Sequence, residues 1–243
     1  MQLKDSVVVI TGAATRVGRV LALHLARQGA HIAFSYYLPE EPWAQTRSEI
    51  KDCGVQALAV QTEIRDRAQV RGLVDATLEK FGRLDVLINS ASIWLRAPFL
   101  EITEDAWDLA MDVNLKGPFL CSQAVAPIML RQRRGVIVNI TDLSAFQVWG
   151  GYAHHAASKA GLVSLTKSLA VELAPDVRVN AIAPGTVLLP EGAPPEKVKW
   201  AVDKSVLGRV GTPEDVARLA AFLIESDFIT GSVYFVDGGR SLV

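Results

Sequence analysis

Val7-Val8-Val9-Ile10-Thr11-Gly12-Ala13-Ala14-Thr15-Arg16-Val17-Gly18 is the stretch from which the fold is read. Val7 to Ile10 is a run of β-branched apolar residues, the composition of a strand buried on both faces. Thr11 and Gly12 end it. Val17, Val20, Leu21 and Leu25 then recur at helical spacing, and Gly29 closes the run. A buried strand that turns through glycine into a helix makes an anion site, because the first helical N–H groups are unpaired and carry partial positive charge. Arg16 stands where a glycine would let the backbone approach a pyrophosphate, so the glycine pattern is incomplete and, taken alone, weak. The plain alternative is an ordinary strand-to-helix turn with a surface arginine. The phosphate-loop reading is preferred because the rest of the chain repeats the architecture in which such loops occur.

The 243 residues suffice for one α/β domain with a sizeable core, and residues 1–243 are read as a single nucleotide-binding and catalytic unit. Half the residues are hydrophobic and the formal net charge is -1, so no basic face is implied and nucleic acid is not an expected partner. Cys53 and Cys121 are isolated; they form neither a disulfide framework nor a zinc pattern and read as small buried residues of a reducing compartment. Met1 to Asp5 lead directly into the first strand, and no leader peptide is expected. The apolar stretch Phe119 to Leu130 is interrupted by Ser122, Gln123 and Pro127, so no membrane span is expected either. A cytoplasmic protein is therefore expected.

Strands and helices alternate almost to the end of the chain. Further strands are expected at Ile32–Phe34, Val55–Val60, Leu84–Ile88, Val136–Ile140, Val177–Ile182 and Val233–Val236, with helices between them. Such alternation predicts a single-domain, Rossmann-like, doubly wound parallel sheet with helices on both faces, and a ligand site beyond the carboxyl ends of the strands. Informative residues stand at those ends: Gly12, Asn89, Asp142, and Pro184-Gly185. The Pro- and Gly-rich segment from Pro184 onward suggests a substrate lid over 184–205. Leu115–Leu130 and Ala156–Leu173 carry apolar residues nearly all round, which favours burial against another subunit over burial within the domain.

In order and spacing, Thr11-Gly12 with Gly18, Asn89-Ser90-Ala91-Ser92, Asn114, Asp142, Ser158-Lys159-Ala160, Asn180, Ala183-Pro184-Gly185 and Asp237-Gly238-Gly239 resemble the short-chain dehydrogenase/reductase family over essentially the whole chain. Arg16, the Asn89–Ser92 tetrad ending in Ser, Asp142 and the terminal Val236-Asp237-Gly238-Gly239-Arg240-Ser241-Leu242 resemble its pteridine reductase subgroup. The resemblance implies that Gly12, Thr15, Arg16, Val17 and Gly18 wrap the cofactor phosphates. It implies that Glu63 and Ile64 hold the adenine, and that Asn89, Ser90, Ala91 and Ser92 line the ribose and nicotinamide. Pro184, Gly185, Thr186 and Val187 would flank the carboxamide, and Lys159 would hold the nicotinamide ribose. Asn114 would shape the helix and water chain behind that lysine, and a homotetramer is expected. No metal is called for.

The second strand ends in Ser35, Tyr36 and Tyr37, without the carboxylate that NAD-specific folds place there for the ribose 2′-OH, so NADPH (NADP) is the expected cofactor. The subgroup's usual basic residue just beyond is replaced by Leu38, leaving Arg16 and the hydroxyls to attract a 2′-phosphate. The family's catalytic Tyr, one helical turn before the Lys, is here His155. The catalytic set is therefore Asp142, His155, Lys159 and Asn114. Three readings stand open: His155 donates the proton; Tyr152 or a water on Asp142 donates it while His155 shapes the pocket; or proton transfer is crippled. Trp94, Trp149 and Phe99 either stack on a flat heterocycle or merely pack, and Trp200 is a lid or interface anchor. The expected reaction is reduction of a dihydropterin or dihydrofolate C=N bond, a pterin or folate being the small-molecule substrate. The alternatives are a ketone, alcohol or 3-oxoacyl substrate, or a nucleotide-binding scaffold with little catalysis.

Overall fold

In the computed structural model, which describes all of residues 1–243, β1 (Val7–Ile10) is an interior strand of a seven-stranded sheet, next to the central one. Around it stand β2 (His31–Tyr36), β3 (Ala57–Gln61), β4 (Val86–Asn89), β5 (Gly135–Ile140), β6 (Val177–Pro184) and β7 (Val233–Val236), in the order β3-β2-β1-β4-β5-β6-β7. Every pairing is parallel, as the alternation of elements requires. The order reverses between β1 and β4, so a crevice opens beyond their carboxyl ends.

The helices are α1 (Arg16–Arg27), α2 (Trp43–Asp52), α3 (Arg67–Phe81), α4 (Glu104–Met111), α5 (Gly117–Gln132), α6 (Ala153–Glu172), α7 (Pro195–Asp203) and α8 (Pro213–Glu225). Two cores result. On one face Leu21, Leu25 and Ala26 of α1, Ile50 of α2, and Val216, Ala220 and Leu223 of α8 cover Val8, Ile10, Ile32 and Phe34. On the other, Leu73 of α3 and Leu120, Val125 and Met129 of α5 cover Val9, Leu87, Ile137 and Val179. The alternation of Val8 and Ile10 against Val9 sends successive side chains into opposite cores, which is why β1 is apolar throughout.

Several local signals act as the sequence suggests. Thr103 caps α4 by accepting from the Ala106 N–H at 3.1 Å, with Glu104 and Asp105 in the first turn. Asp66 caps α3, and Gly82 ends it in the left-handed region. Pro127 does not break α5, which runs through it. The third strand begins at Ala57 rather than Val55 and extends to Gln61. The expected lid segment is not all loop, because α7 lies within it. Between α4 and α5 the chain makes a π-turn over Asp112–Lys116 instead of a break. Such single wide turns re-aim one side chain, and here the buried one is Asn114. No helix is long and apolar enough to cross a membrane. Burial pushes the Cys121 thiol up to about 12, so it is inert.

α5 and α6 are not wrapped on all sides. Phe119 and Leu130 of α5 and Val171 of α6 are exposed. Met111, Leu115, Phe119 and Leu165 line a shallow apolar hollow on this face.

Candidate active site

The cleft beyond the strand ends has a volume of about 790 Å³. Gly12, Thr15, Arg16, Val17, Gly18, Ser35, Tyr36, Tyr37, Glu63, Ile64, Ser90, Ala91, Ser92, Asp142, Lys159, Pro184, Gly185 and Val187 all line it, so most of the residues singled out from sequence meet there. The turn after β1 is built for close approach. Gly12 has φ +64°, and a Cβ on it would lie 2.9 Å from the Ala91 Cα. The Thr11 hydroxyl accepts from the Ser90 and Ala91 N–H groups at 3.0 and 3.1 Å, tying the ends of β1 and β4 together. Thr15 makes no side-chain cap on α1, and the residues of its first turn, Arg16, Val17 and Gly18, line the cleft. Arg16 has φ +53°, a conformation that costs a non-glycine residue about 1 kcal/mol or more, and its exposed guanidinium has no carboxylate partner.

Two expected cofactor residues lie elsewhere. Asn89 is buried in the sheet, donating to Asn139 at 2.8 Å and Ser122 at 3.3 Å, so it joins β4 to β5 rather than lining the cleft. Thr186 sits just outside the cleft lining, between Gly185 and Val187, and its hydroxyl accepts from Arg240 at 2.7 Å. Asn180 likewise serves the fold, bonding to Ile229 and Ser232 ahead of β7.

The structure adds residues that the sequence reading passed over. Glu41 folds back so that one carboxylate oxygen accepts from the Tyr37 and Leu38 N–H groups at 2.9 and 2.8 Å, at the end of β2. A carboxylate therefore does stand at this end of the cleft, contrary to the expectation from Ser35-Tyr36-Tyr37 alone. Spacing could not reveal it, because Glu41 comes from the loop before α2. Arg65 also lines the cleft and pairs with Glu63 at 2.5 Å, and this bond holds the Glu63 carboxyl below its ordinary value.

At the far end stand Asp142, His155 and Lys159. Asp142 follows β5; its Oδ1 accepts from the Ser144 N–H at 2.7 Å and the Ser144 hydroxyl at 2.5 Å, and its Oδ2 faces His155 Nε2 at 2.6 Å. The side chain of Asp142 is 15% exposed and that of His155 only 1%, so the carboxylate, not the imidazole, meets the cleft. Burial works to raise the Asp142 pKa, but the His155 bond, the Lys159 charge and Ser144 outweigh it, and the carboxyl stands below the ordinary aspartate value. An ionised carboxylate only accepts, so Nε2 carries the proton between them. On the other side of the ring, Nδ1 lies 3.1 Å from the Ile93 carbonyl and 3.3 Å from Asn114 Nδ2. Asn114 is oriented by the Ile93 N–H and the Ser92 hydroxyl, both of which donate to its Oδ1 at 2.9 Å. It reaches His155, Ser158 and Ile93, and makes no bond to Lys159. Lys159 is buried and donates to the Ile140 carbonyl at 3.0 Å; burial drives its pKa down against the pull of Asp142.

Trp94 covers His155, with ring centroids 4.4 Å apart, and lines the cleft itself. Tyr152 packs against Trp94 at 4.9 Å, and Trp94 stands between it and the cleft lining. Trp149 joins the same cluster, 5.9 Å from Trp94. Phe99 lies exposed and apart from the cluster.

His154, the neighbour of His155, is completely buried and neither ring nitrogen has a partner. Burial, then the His155 charge, lowers its pKa. In the unfolded chain an imidazole titrates near ~6.5. Between the lowered folded value and that point the unfolded state binds more protons, so stability falls as pH drops through the window. His154→Phe is expected to raise stability by about 1 kcal/mol or more, since it removes an unpaired buried polar group, and to flatten the slope of stability against pH below neutrality. Urea melts at neutral and mildly acidic pH check this; a destabilised variant with the original slope would contradict it.

A parallel sheet with a glycine turn at its reversal point, and an Asp–His pair beside a buried lysine, has the form of a dinucleotide-dependent oxidoreductase. Comparison with known proteins agrees. A family model described as enoyl-(acyl carrier protein) reductase matches residues 12–241. The 3-oxoacyl-(acyl-carrier-protein) reductase FabG of Thermotoga maritima is 37% identical over 98% of this chain and 99% of its own. A (2S)-[(R)-hydroxy(phenyl)methyl]succinyl-CoA dehydrogenase subunit of Thauera aromatica is 36% identical over 100% and 99%. Among solved structures, a Serratia marcescens short-chain dehydrogenase/reductase, studied as a double mutant, superposes with a TM-score of 0.92 at 29% identity, covering 99% of this chain and 100% of that one. The chain belongs to the short-chain dehydrogenase/reductase family and is an NAD(P)-dependent oxidoreductase. The narrower resemblance to pteridine reductases is not what these relatives support: their names concern 3-oxoacyl and acyl-CoA substrates.

Proposed function

We propose that the protein is an NADPH-dependent reductase of a carbonyl group, acting on a ketone of the 3-oxoacyl type rather than on a pterin. The observation that carries this is the Asp142–His155 pair beside Lys159, with Asp142 open to the cleft. The residues fit a nicotinamide cofactor: Gly12, Thr15 to Gly18 and the N-terminus of α1 suit its phosphates, and Lys159 suits the nicotinamide ribose. The bound cofactor supplies hydride to the carbonyl carbon.

The chain supplies the proton to the carbonyl oxygen. Before transfer, the pair holds its proton as imidazolium against carboxylate, with Nε2–H on Asp142 and Nδ1–H donating to the Ile93 carbonyl. Asp142 takes the Nε2 proton and passes it to the substrate oxygen, ending as carboxylate beside a neutral ring that keeps Nδ1–H on the Ile93 carbonyl. A proton from solvent, taken up through Asp142, restores Nε2–H for the next turnover. Lys159 holds the field that keeps Asp142 ionised at rest. Residues 184–205 act as the lid, and the chain works as a homotetramer in the cytoplasm, associating through the apolar face of α5 and α6.

The direct test is NADPH oxidation with acetoacetyl-CoA, a ketone panel and a dihydropterin. Turnover on the oxo compounds with none on the pterin is expected. Turnover on the pterin alone would restore that substrate class, and tight cofactor binding with no turnover on any would leave a nucleotide-binding scaffold.

Cofactor choice has a second reading, NADH, favoured by the Glu41 carboxylate at the ribose end. Arg16 attracts a 2′-phosphate, and Glu41 repels it and occupies the two N–H groups it would use. Glu41→Ala is expected to raise the NADPH-to-NADH ratio of kcat/KM roughly tenfold, a difference of about 1.4 kcal/mol, and Arg16→Ala to lower it. Ratios unmoved by both variants would show that neither residue reads the ribose.

A further inference from the structure

The last turn of the chain brings a cation to the edge of the active site. Asp237 accepts from the Gly239 and Ser241 N–H groups at 3.0 and 2.7 Å and so folds the turn that carries Arg240. This turn is pressed against the strand end at Gly185, where a Cβ would lie 2.8 Å from the Asp237 Cα. Gln147 donates to the Arg240 carbonyl at 3.2 Å and fixes the turn from the other side. The Arg240 guanidinium then lies between two indoles, 4.9 Å from the Trp149 ring and 4.8 Å from the Trp200 ring. Trp149 belongs to the cluster over His155, and Trp200 belongs to α7.

Five N–H donors sit on a guanidinium. In Arg240 one of the terminal nitrogens donates to the Thr186 hydroxyl, and no carboxylate lies within ion-pair distance. Burial lowers its pKa, with Asp237 and Asp142 acting in the opposite direction, so the catalytic carboxylate lies within its field. A half-buried cation, held between two indole rings and left with free donors, has the fork of N–H groups that binds a carboxylate.

We propose that Arg240 is a specificity-determining residue that receives the carboxylate of a short oxo acid while Asp142 serves its carbonyl oxygen. This rests on the carbonyl-reductase reading above. Arg240 stands on Thr186, between two cleft-lining residues, so the anion it takes must be carried by the reacting fragment itself. The phosphate of a long carrier arm would lie far from the carbonyl.

The test compares 3-oxohexanoate with its methyl ester in the unaltered enzyme, Arg240→Gln and Arg240→Lys, together with calorimetric binding of 3-hydroxyhexanoate to the NADP-loaded protein. The acid is expected to be preferred by the unaltered enzyme. The acid-to-ester ratio of kcat/KM should fall at least tenfold in Arg240→Gln, mainly through KM, and less in Arg240→Lys, which keeps the charge but not the fork. Hydroxy acid binding should weaken in parallel. An acid-to-ester ratio unchanged in both variants, or equal losses on both substrates, would overturn the proposal and leave Arg240 as a packing residue of the lid. If Arg240→Gln does not fold, the Arg240→Lys ratio and the binding data decide. If no carbonyl compound is reduced yet hydroxy acid binding still depends on Arg240, the carbonyl-reductase reading fails and the anion site stands.

Discussion

Asp142→Asn is expected to lower kcat for carbonyl reduction about 10²–10⁴-fold, the range supplied by a positioned proton donor, with little change in NADPH affinity. The amide keeps the size of the carboxyl but cannot carry a proton from His155 to the substrate. It also removes the negative charge facing Nε2, so the imidazole loses its charged partner at 2.6 Å. His155→Phe should give a loss of the same kind, because the carboxylate then has no proton to draw on. His155→Tyr places a phenol one turn before Lys159. Phenols lose their proton near ~10 and imidazoles near ~6.5, so the fall of reduction rate with rising pH should move to higher pH in that variant. Losses in the single variants should not add in the double variant, since the two residues act as one relay. Full kcat and an unchanged pH profile in Asp142→Asn would mean that the proton comes from solvent.

Gly18→Ala is expected to abolish tight cofactor binding. A Cβ at Gly18 would lie 2.4 Å from the Gly12 carbonyl oxygen and 2.9 Å from the Ala13 Cα. Both are backbone atoms of the phosphate turn and cannot swing aside as a side chain would. Relief requires α1 to move away from β1, which strains the core under Leu21 and Leu25 and takes the helix N–H groups from their place. Overpacking of this kind costs about 1–3 kcal/mol, and each 1.4 kcal/mol carried into binding is about tenfold in Kd. Calorimetric titration with NADPH and a urea melt on the same variant separate the two effects. An unchanged Kd would show that the first turn of α1 does not hold the phosphates.

The sequence by itself determined the sheet, the helix alternation, the crevice and most of its lining. Runs such as Val7–Ile10 report burial on both faces through composition alone. Gly12, Asp142 and Pro184-Gly185 are legible because a parallel sheet puts all its strand ends on one side. Asn114, Asp142, His155 and Lys159 were recognisable as a set by resemblance in order and spacing.

Only the tertiary structure decided which of them faces the cleft. His155 turns inward under Trp94, and Asp142 is left facing the cleft. Asn89 turns into the sheet to Asn139. Glu41 reaches the end of β2 from outside any strand, and Arg240 arrives from the last turn of the chain. The physical reason is common to His155, Asn89 and Arg240. Periodicity reports which face of an element a residue occupies, and it does so within a few turns of chain. The direction of a polar side chain is set by hydrogen-bond and aromatic partners far away in sequence, 62 residues for His155 with Ile93 and 54 for Arg240 with Thr186, and these exist only once the chain has closed on itself.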